Sequence, residues 1–146
     1  MKTEYDIKLC NDFPQLYRER HMDMQVTCMC WGFACGDGWF DIIYELSTKL
    51  DTLFKKHGLV GDAYPACAQV KEKFGDLSFY MNAIPKEIHE EAYSYIQEAN
   101  KKSAQTCEVC GAPGKLGSTR GWYCTLCDAH RLEREKPRKQ ELPKED

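Results

Sequence analysis

The clearest pattern along the chain is an apolar recurrence at spacings of three and four: Trp39, Ile42, Ile43, Leu46, Leu50, Leu53 and Phe54. This is one face of an amphipathic helix, with Asp41, Glu45, Lys49 and Lys55 largely on the other side. Asp37 is placed to cap its start and Gly58 to stop it. A second helical pattern opens at Pro85. Ile88, Ala92, Tyr95, Ile96 and Ala99 form its inner stripe, and its early acids and late lysines suit the helix dipole. Between the helices, residues 68–82 alternate. Val70, Phe74, Leu77, Phe79 and Met81 share one face of a predicted hairpin. Lys71, Lys73, Ser78 and Tyr80 take the other, around a Gly75-Asp76 turn of type II′. Upstream, Asn11 or Asp12 is placed to cap a short helix with Pro14 in its first turn, running through L-Y-R-E-R. Residues 26–36 have no helical period and read as a buried strand or an irregular, packed segment.

These elements predict an α+β fold: two main helices packed on a small antiparallel sheet, with a C-terminal treble-clef-like zinc module. The expected organisation is an α+β domain over residues 1–105, a zinc-binding module over 106–136, and a disordered tail over 137–146, where charge is mixed and prolines recur. Composition fits this picture. Of 146 residues, 42% are hydrophobic, enough for a real core, and 12% are aromatic, so part of the core or of a binding surface is aromatic. The net charge of −3 gives no electrostatic footprint for duplex DNA or an anionic membrane. The longest uncharged stretch, Val26 to Gly36, is too short to span a bilayer, and the first residues lack the apolar run of a signal peptide. A cytoplasmic protein with reduced thiols is expected, and its odd count of nine cysteines argues against a disulfide framework.

The strongest chemical signal lies near the C-terminus. Cys107-x-x-Cys110-Gly111 is a zinc-knuckle pattern, in which the glycine tolerates the sharp turn that lets two thiolates share an ion. Two ligand sets compete for the remaining positions: Cys124 with Cys127, or Cys127 with His130. Thr125-Leu126-Cys127-Asp128 reads as a capping box, so a helix should begin just after Thr125 and carry Cys127 and His130 on one side of its first turn. Cys107, Cys110, Cys127 and His130 are therefore the predicted ligands of a structural zinc, with Cys124 as the alternative ligand. Four protein ligands leave no open position for water, which favours a structural over a catalytic ion.

Other constellations are weaker. Cys28, Cys30 and Cys35, joined by His21, Cys10 or Cys67, form either a second metal site or a set of packed thiols. Gly36-Asp37-Gly38 is either a helix cap between permissive glycines or a phosphate cradle. Glu72, on an otherwise apolar face, is either a buried site residue or a group at a wet edge. His89-Glu90-Glu91 is not a zincin motif, because Tyr93 stands where the second histidine belongs. No catalytic residues are singled out. Trp31, Trp39, Glu72, Lys73, Arg120 and Trp122 are the candidate binding residues, offering stacking surfaces beside charges.

The segments W-G-F-A-C-G-D-G-W-F-D-I-I, Q-V-K-E-K-F-G-D-L-S-F-Y, C-E-V-C-G-A-P-G-K-L and G-W-Y-C-T-L-C-D-A-H together resemble a family of small uncharacterised zinc-finger-containing proteins of bacteriophages and bacterial mobile elements. The resemblance covers most of the chain between about Met24 and His130. It implies the cytoplasm of a bacterial host cell, an accessory role, and Cys107, Cys110, Cys127 and His130 as the shared ligand set, from which Cys124 departs. The expected function is a non-catalytic binding protein acting on a host protein, such as a defence factor, or on a small nucleotide ligand. A nucleic-acid-binding regulator with Lys115, Arg120, Arg131 and Arg134 on phosphate is the first alternative. A small enzyme acting on a nucleotide is the second. No membrane partner is expected.

Overall fold

The computed structural model describes residues 1–137. The expected disordered tail lies, apart from Pro137, outside the described residues. The fold is α+β. In chain order it contains α1 (Thr3–Asp12), β1 (Phe33–Ala34), α2 (Phe40–Lys56), β2 (Cys67–Lys73), β3 (Asp76–Met81), α3 (Lys86–Ser103), β4 (Lys115–Thr119), β5 (Trp122–Leu126) and α4 (Asp128–Glu135). Among the described residues, no helix is long and apolar enough to cross a membrane.

The two main helices form as the periodicity predicts. Trp39, Ile42, Ile43, Leu46, Leu50, Leu53 and Phe54 are all buried along α2. Gly58 ends the helix with φ +69. Its N–H reaches the Lys55 carbonyl at 3.0 Å and that of Leu59 reaches Phe54 at 3.1 Å, the paired bonds of a Schellman motif. Asp37 does not cap α2. A single 3-10 turn, Asp37–Trp39, intervenes, and the Asp37 carboxylate accepts the Lys2 backbone N–H at 2.7 Å. In α3, Ile88, Ala92 and Ala99 are buried, with Tyr95 and Ile96 packed beside them. The fully buried Ser103 accepts the Leu77 N–H at 2.8 Å, and Asn100 donates to the Leu77 carbonyl at 3.0 Å. The C-terminal turns of α3 are thereby clamped to β3.

The first helix lies upstream of its predicted position and ends where that one was to begin. Phe13 precedes Pro14, whose ring disfavours the helical region for the residue before it, and Phe13 takes φ −130. Beyond it the chain turns rather than coils, because the Leu16 carbonyl accepts the Cys67 N–H at 2.8 Å, tying this segment to β2.

The sheet is mixed, not purely antiparallel, with order β1-β2-β3. Residues 26–36 are irregular and only partly buried: a 3-10 turn, Cys28–Trp31, is followed by the two-residue strand β1, in which Phe33 is buried and Ala34 exposed. β1 runs parallel to β2, pairing Phe33 with Val70. Parallel neighbours need a long crossover, and α2 supplies it.

The β2–β3 hairpin turns one residue earlier than predicted. Lys73 pairs with Asp76, which leaves Phe74-Gly75 as the turn. Both have positive φ, +52 and +89, the sign pattern of type I′ rather than II′. Phe74 thus leaves the inner face, while Val70, Leu77 and Phe79 stay in it. A bulky residue at positive φ is rare, so spacing alone does not foresee it.

Candidate metal centre

After α3 the chain enters the cysteine knuckle. The Gly111 N–H closes it on the Cys107 carbonyl at 2.9 Å, with Gly111 at φ +79. The β4–β5 hairpin then pairs Lys115 with Leu126 through to Thr119 with Trp122. β5 delivers Cys127, which is the N-cap residue of α4, and His130 follows on the first helical turn. Knuckle, hairpin and ligand-bearing helix follow one another as in a treble clef.

The ligand atoms of Cys107, Cys110, Cys127 and His130 all lie within 4.8 Å of one another. Cys110 Sγ stands 3.8 Å from Cys127 Sγ, and His130 Nδ1 stands 3.6 Å from Cys107 Sγ and 3.1 Å from Cys127 Sγ. A tetrahedral ion with Zn–S bonds of about 2.3 Å separates its sulfurs by about 3.8 Å. A disulfide would need about 2.05 Å. The spacing and the donor set therefore fit a structural zinc held by three sulfurs and one imidazole nitrogen. Burial raises the Cys107 thiol pKa, but backbone N–H groups of Cys127, Cys110 and Val109 outweigh it and hold the thiol down at about 6, toward the thiolate a metal requires.

Cys124 stands apart from this cluster. It is buried, its thiol 3.8 Å from the Thr119 hydroxyl, with the Arg131 guanidinium at 3.8 Å. The expected capping box does not form. Thr125 is a strand residue paired with Leu116, and its hydroxyl donates to the Gly75 carbonyl at 2.6 Å. The helix starts at Asp128, so the inference that set Cys127 and His130 on one helical turn leaned on the wrong cap residue.

The module sits directly on the body. The Gly38 N–H donates to the Glu108 carbonyl at 2.7 Å, and the Trp39 indole N–H to the Thr106 carbonyl at 2.9 Å. A Cβ on Gly36 would meet the Glu108 carbonyl oxygen at 2.3 Å. Gly36 and Gly38 are thus where the knuckle backbone approaches the entrance of α2. The G-D-G spelling signalled a special backbone but not what would lie against it.

Among the described residues, no other group of three or more His, Cys, Asp or Glu is placed to share an ion. Cys28 is exposed, and the Cys30 carbonyl accepts from Arg20 at 2.9 Å. Cys35 is a buried thiol pushed up to about 12 by burial.

The candidate binding residues separate into three groups. Trp39 is fully buried and belongs to the core, a correction to its expected role. Trp31 is exposed in the Cys28–Trp31 turn. Glu72, Lys73 and Trp122 come together around a cavity of about 590 Å³ between the tips of the two hairpins. Phe74, Tyr123 and Glu108 join them there, missed because the turn shift and the docking of the module were not visible in spacing. Arg120 and Trp122 line an adjoining hollow of about 400 Å³. Glu72 is half-buried and accepts the Gly75 N–H at 2.7 Å, so it lies between its two expected states. Glu108 is also half-buried. Burial first and then the Glu72 charge push its carboxyl pKa up, against the pull of Arg134. Arg131 is not available to phosphate as expected, because its guanidinium bonds the Lys115 carbonyl at 2.5 Å and the Cys124 carbonyl at 3.2 Å.

No family model matches the chain, and no curated protein and no solved structure matches it either.

Proposed function

We propose that this chain is a non-catalytic binding protein whose working surface is held in shape by a structural zinc. The observation that carries the reading is the cluster of Cys107, Cys110, Cys127 and His130, four donors that fill a tetrahedral shell and leave no position for a reacting water. The knuckle backbone lies on Gly38, and Thr125 of β5 bonds Gly75 of the other hairpin, so the ion would set where the two hairpin tips stand. The resemblance of its sequence segments to small phage and mobile-element proteins is what suggests an accessory role in an infected bacterium. The partner is then a host protein, defence factors included, or a nucleotide signal. Arg131 holding α4 to its hairpin and a net charge of −3 weigh against the nucleic-acid regulator.

Metal analysis of the purified chain should find about one zinc per molecule. Cys107→Ser should lose it and unfold the C-terminal third, while Cys124→Ser should keep it. For the binding role, protein retained from infected-host lysate and small molecules released on denaturation are identified by mass spectrometry. Intact recovery of a bound molecule supports the reading. Chemical conversion of that molecule overturns its non-catalytic part, and retention of nothing overturns it altogether.

A further inference from the structure

The two adjoining hollows share Trp122, Cys124 and Arg134 but differ in character. We propose that together they bind a guanine nucleotide, its base between the hairpin tips and its phosphate in the hollow beyond Trp122. This rests on the binding-protein reading and names the ligand of that surface.

The first support is backbone strain at the rim. Phe74 and Arg120 each open a hairpin turn at positive φ, +52 and +53, ahead of a glycine. Asn or Asp suits that position, and a phenylalanine does not. Phe74 is also 71% exposed, so neither its backbone nor core packing accounts for it. Residues held this way cluster at ligand clamps. Phe74, Tyr123 and the 79% exposed Trp122 give the first hollow three aromatic rings, the surfaces on which a flat base stacks.

Polar groups then select the base. The first hollow contains two half-buried carboxylates, Glu72 and Glu108, with Lys73 and Arg134 also on its wall, so its charge is balanced and the carboxylates act as local acceptors. An ionised carboxylate only accepts hydrogen bonds. Guanine presents two adjacent N–H donors on its pairing edge and can meet a carboxylate with two parallel bonds. Adenine sets an acceptor nitrogen beside its donor and would face the carboxylate with a lone pair. The second hollow is net basic, with Arg120, Arg134 and Lys136 against Glu133. Lys136 is paired with Glu133 at 2.9 Å and one Arg120 N–H is taken by the Lys136 carbonyl at 2.6 Å, so the two arginines are what suit phosphate there. An arginine-bearing peptide would satisfy the carboxylates and rings but leave this basic hollow without an anion. The volume of about 590 Å³ lies in the usual range for small-ligand sites.

Calorimetric titration of the zinc-loaded full chain with GMP, guanosine, AMP, inorganic phosphate and N-acetylarginine amide tests the assignment. GMP should bind roughly tenfold or more tightly than AMP or guanosine. Trp122→Ala should weaken GMP by roughly tenfold or more. Arg120→Gln, in the second hollow alone, should weaken GMP while leaving guanosine unchanged. Zinc content and circular dichroism report whether each variant folds. Phe74→Asn relieves strain, so its loss of GMP affinity cannot be put down to misfolding. Absence of GMP binding, equal affinity for GMP and AMP, or tighter binding of the arginine amide overturns the guanine assignment. Trp122-dependent retention of a host protein without GMP binding would sink the nucleotide and keep the binding role. Consumption of GMP would keep the site and sink the non-catalytic reading.

Discussion

A methyl group on Gly38 would lie 2.1 Å from the Cys107 carbonyl oxygen and 2.5 Å from the Gly111 nitrogen. Both neighbours are backbone atoms of the knuckle, so neither can swing aside as a side-chain tip would. Gly38→Ala should therefore force the module off the entrance of α2, costing about 3 kcal/mol. Thermal melts of the zinc-loaded variant would show it as a lower midpoint, and a competing chelator would strip its zinc sooner than the parent's. The glycine could be read in the sequence as a special position. Its reason could not, because the contact is with residues about seventy positions later, and no local pattern reports them. Cys124 teaches the converse. It was a ligand candidate by spacing, but its place in β5 puts its sulfur against Thr119 and Arg131.

Among elements, those governed by one period were legible: α2, α3, and the alternation of β2 with β3. Each has an inner face whose burial follows from side-chain spacing. What failed were the ends. Pro14 stops a helix rather than starting one, because the preceding segment was already helical and Phe13 could not stay so. Thr125 has the spelling of a cap but a hydroxyl engaged by Gly75 across the molecule. The hairpin turn slipped by one residue because strain at Phe74 goes against local preference. That last error can be tested on the element itself. Phe74→Asn supplies the residue a type I′ turn favours, and should stabilise the fold by about 1 kcal/mol in urea denaturation. If stability falls instead, Phe74 is packed in a way its exposure denies.

For the whole molecule, body and zinc module meet along one seam. The Gly38–Glu108 and Trp39–Thr106 hydrogen bonds join the turn that enters α2 to the knuckle, and the Thr125–Gly75 bond joins the two hairpins. Removing the metal should therefore loosen more than the four ligands. Hydrogen exchange of the chelated protein should accelerate at Gly38 and at the Gly75 turn as well as across β4, β5 and α4, while the centre of α2 stays protected. Exchange confined to the module would mean that the seam holds without zinc. The fold class and the ligand set could both be anticipated from spelling, but this joint could not. It consists mostly of backbone groups, which carry no signature of their partners.

The Gly38–Glu108 contact also bears on how the chain is made. Synthesis runs from the N-terminus, and domains fold as they emerge. α2 and its glycine-lined entrance leave the ribosome well before the knuckle that will cover them, and His130 is the last of the four ligands to appear. The nascent body must wait with that entrance bare and its Trp39 indole lacking a partner. Capture of a metal by this cluster would then come late in assembly, after the body it rests on has emerged.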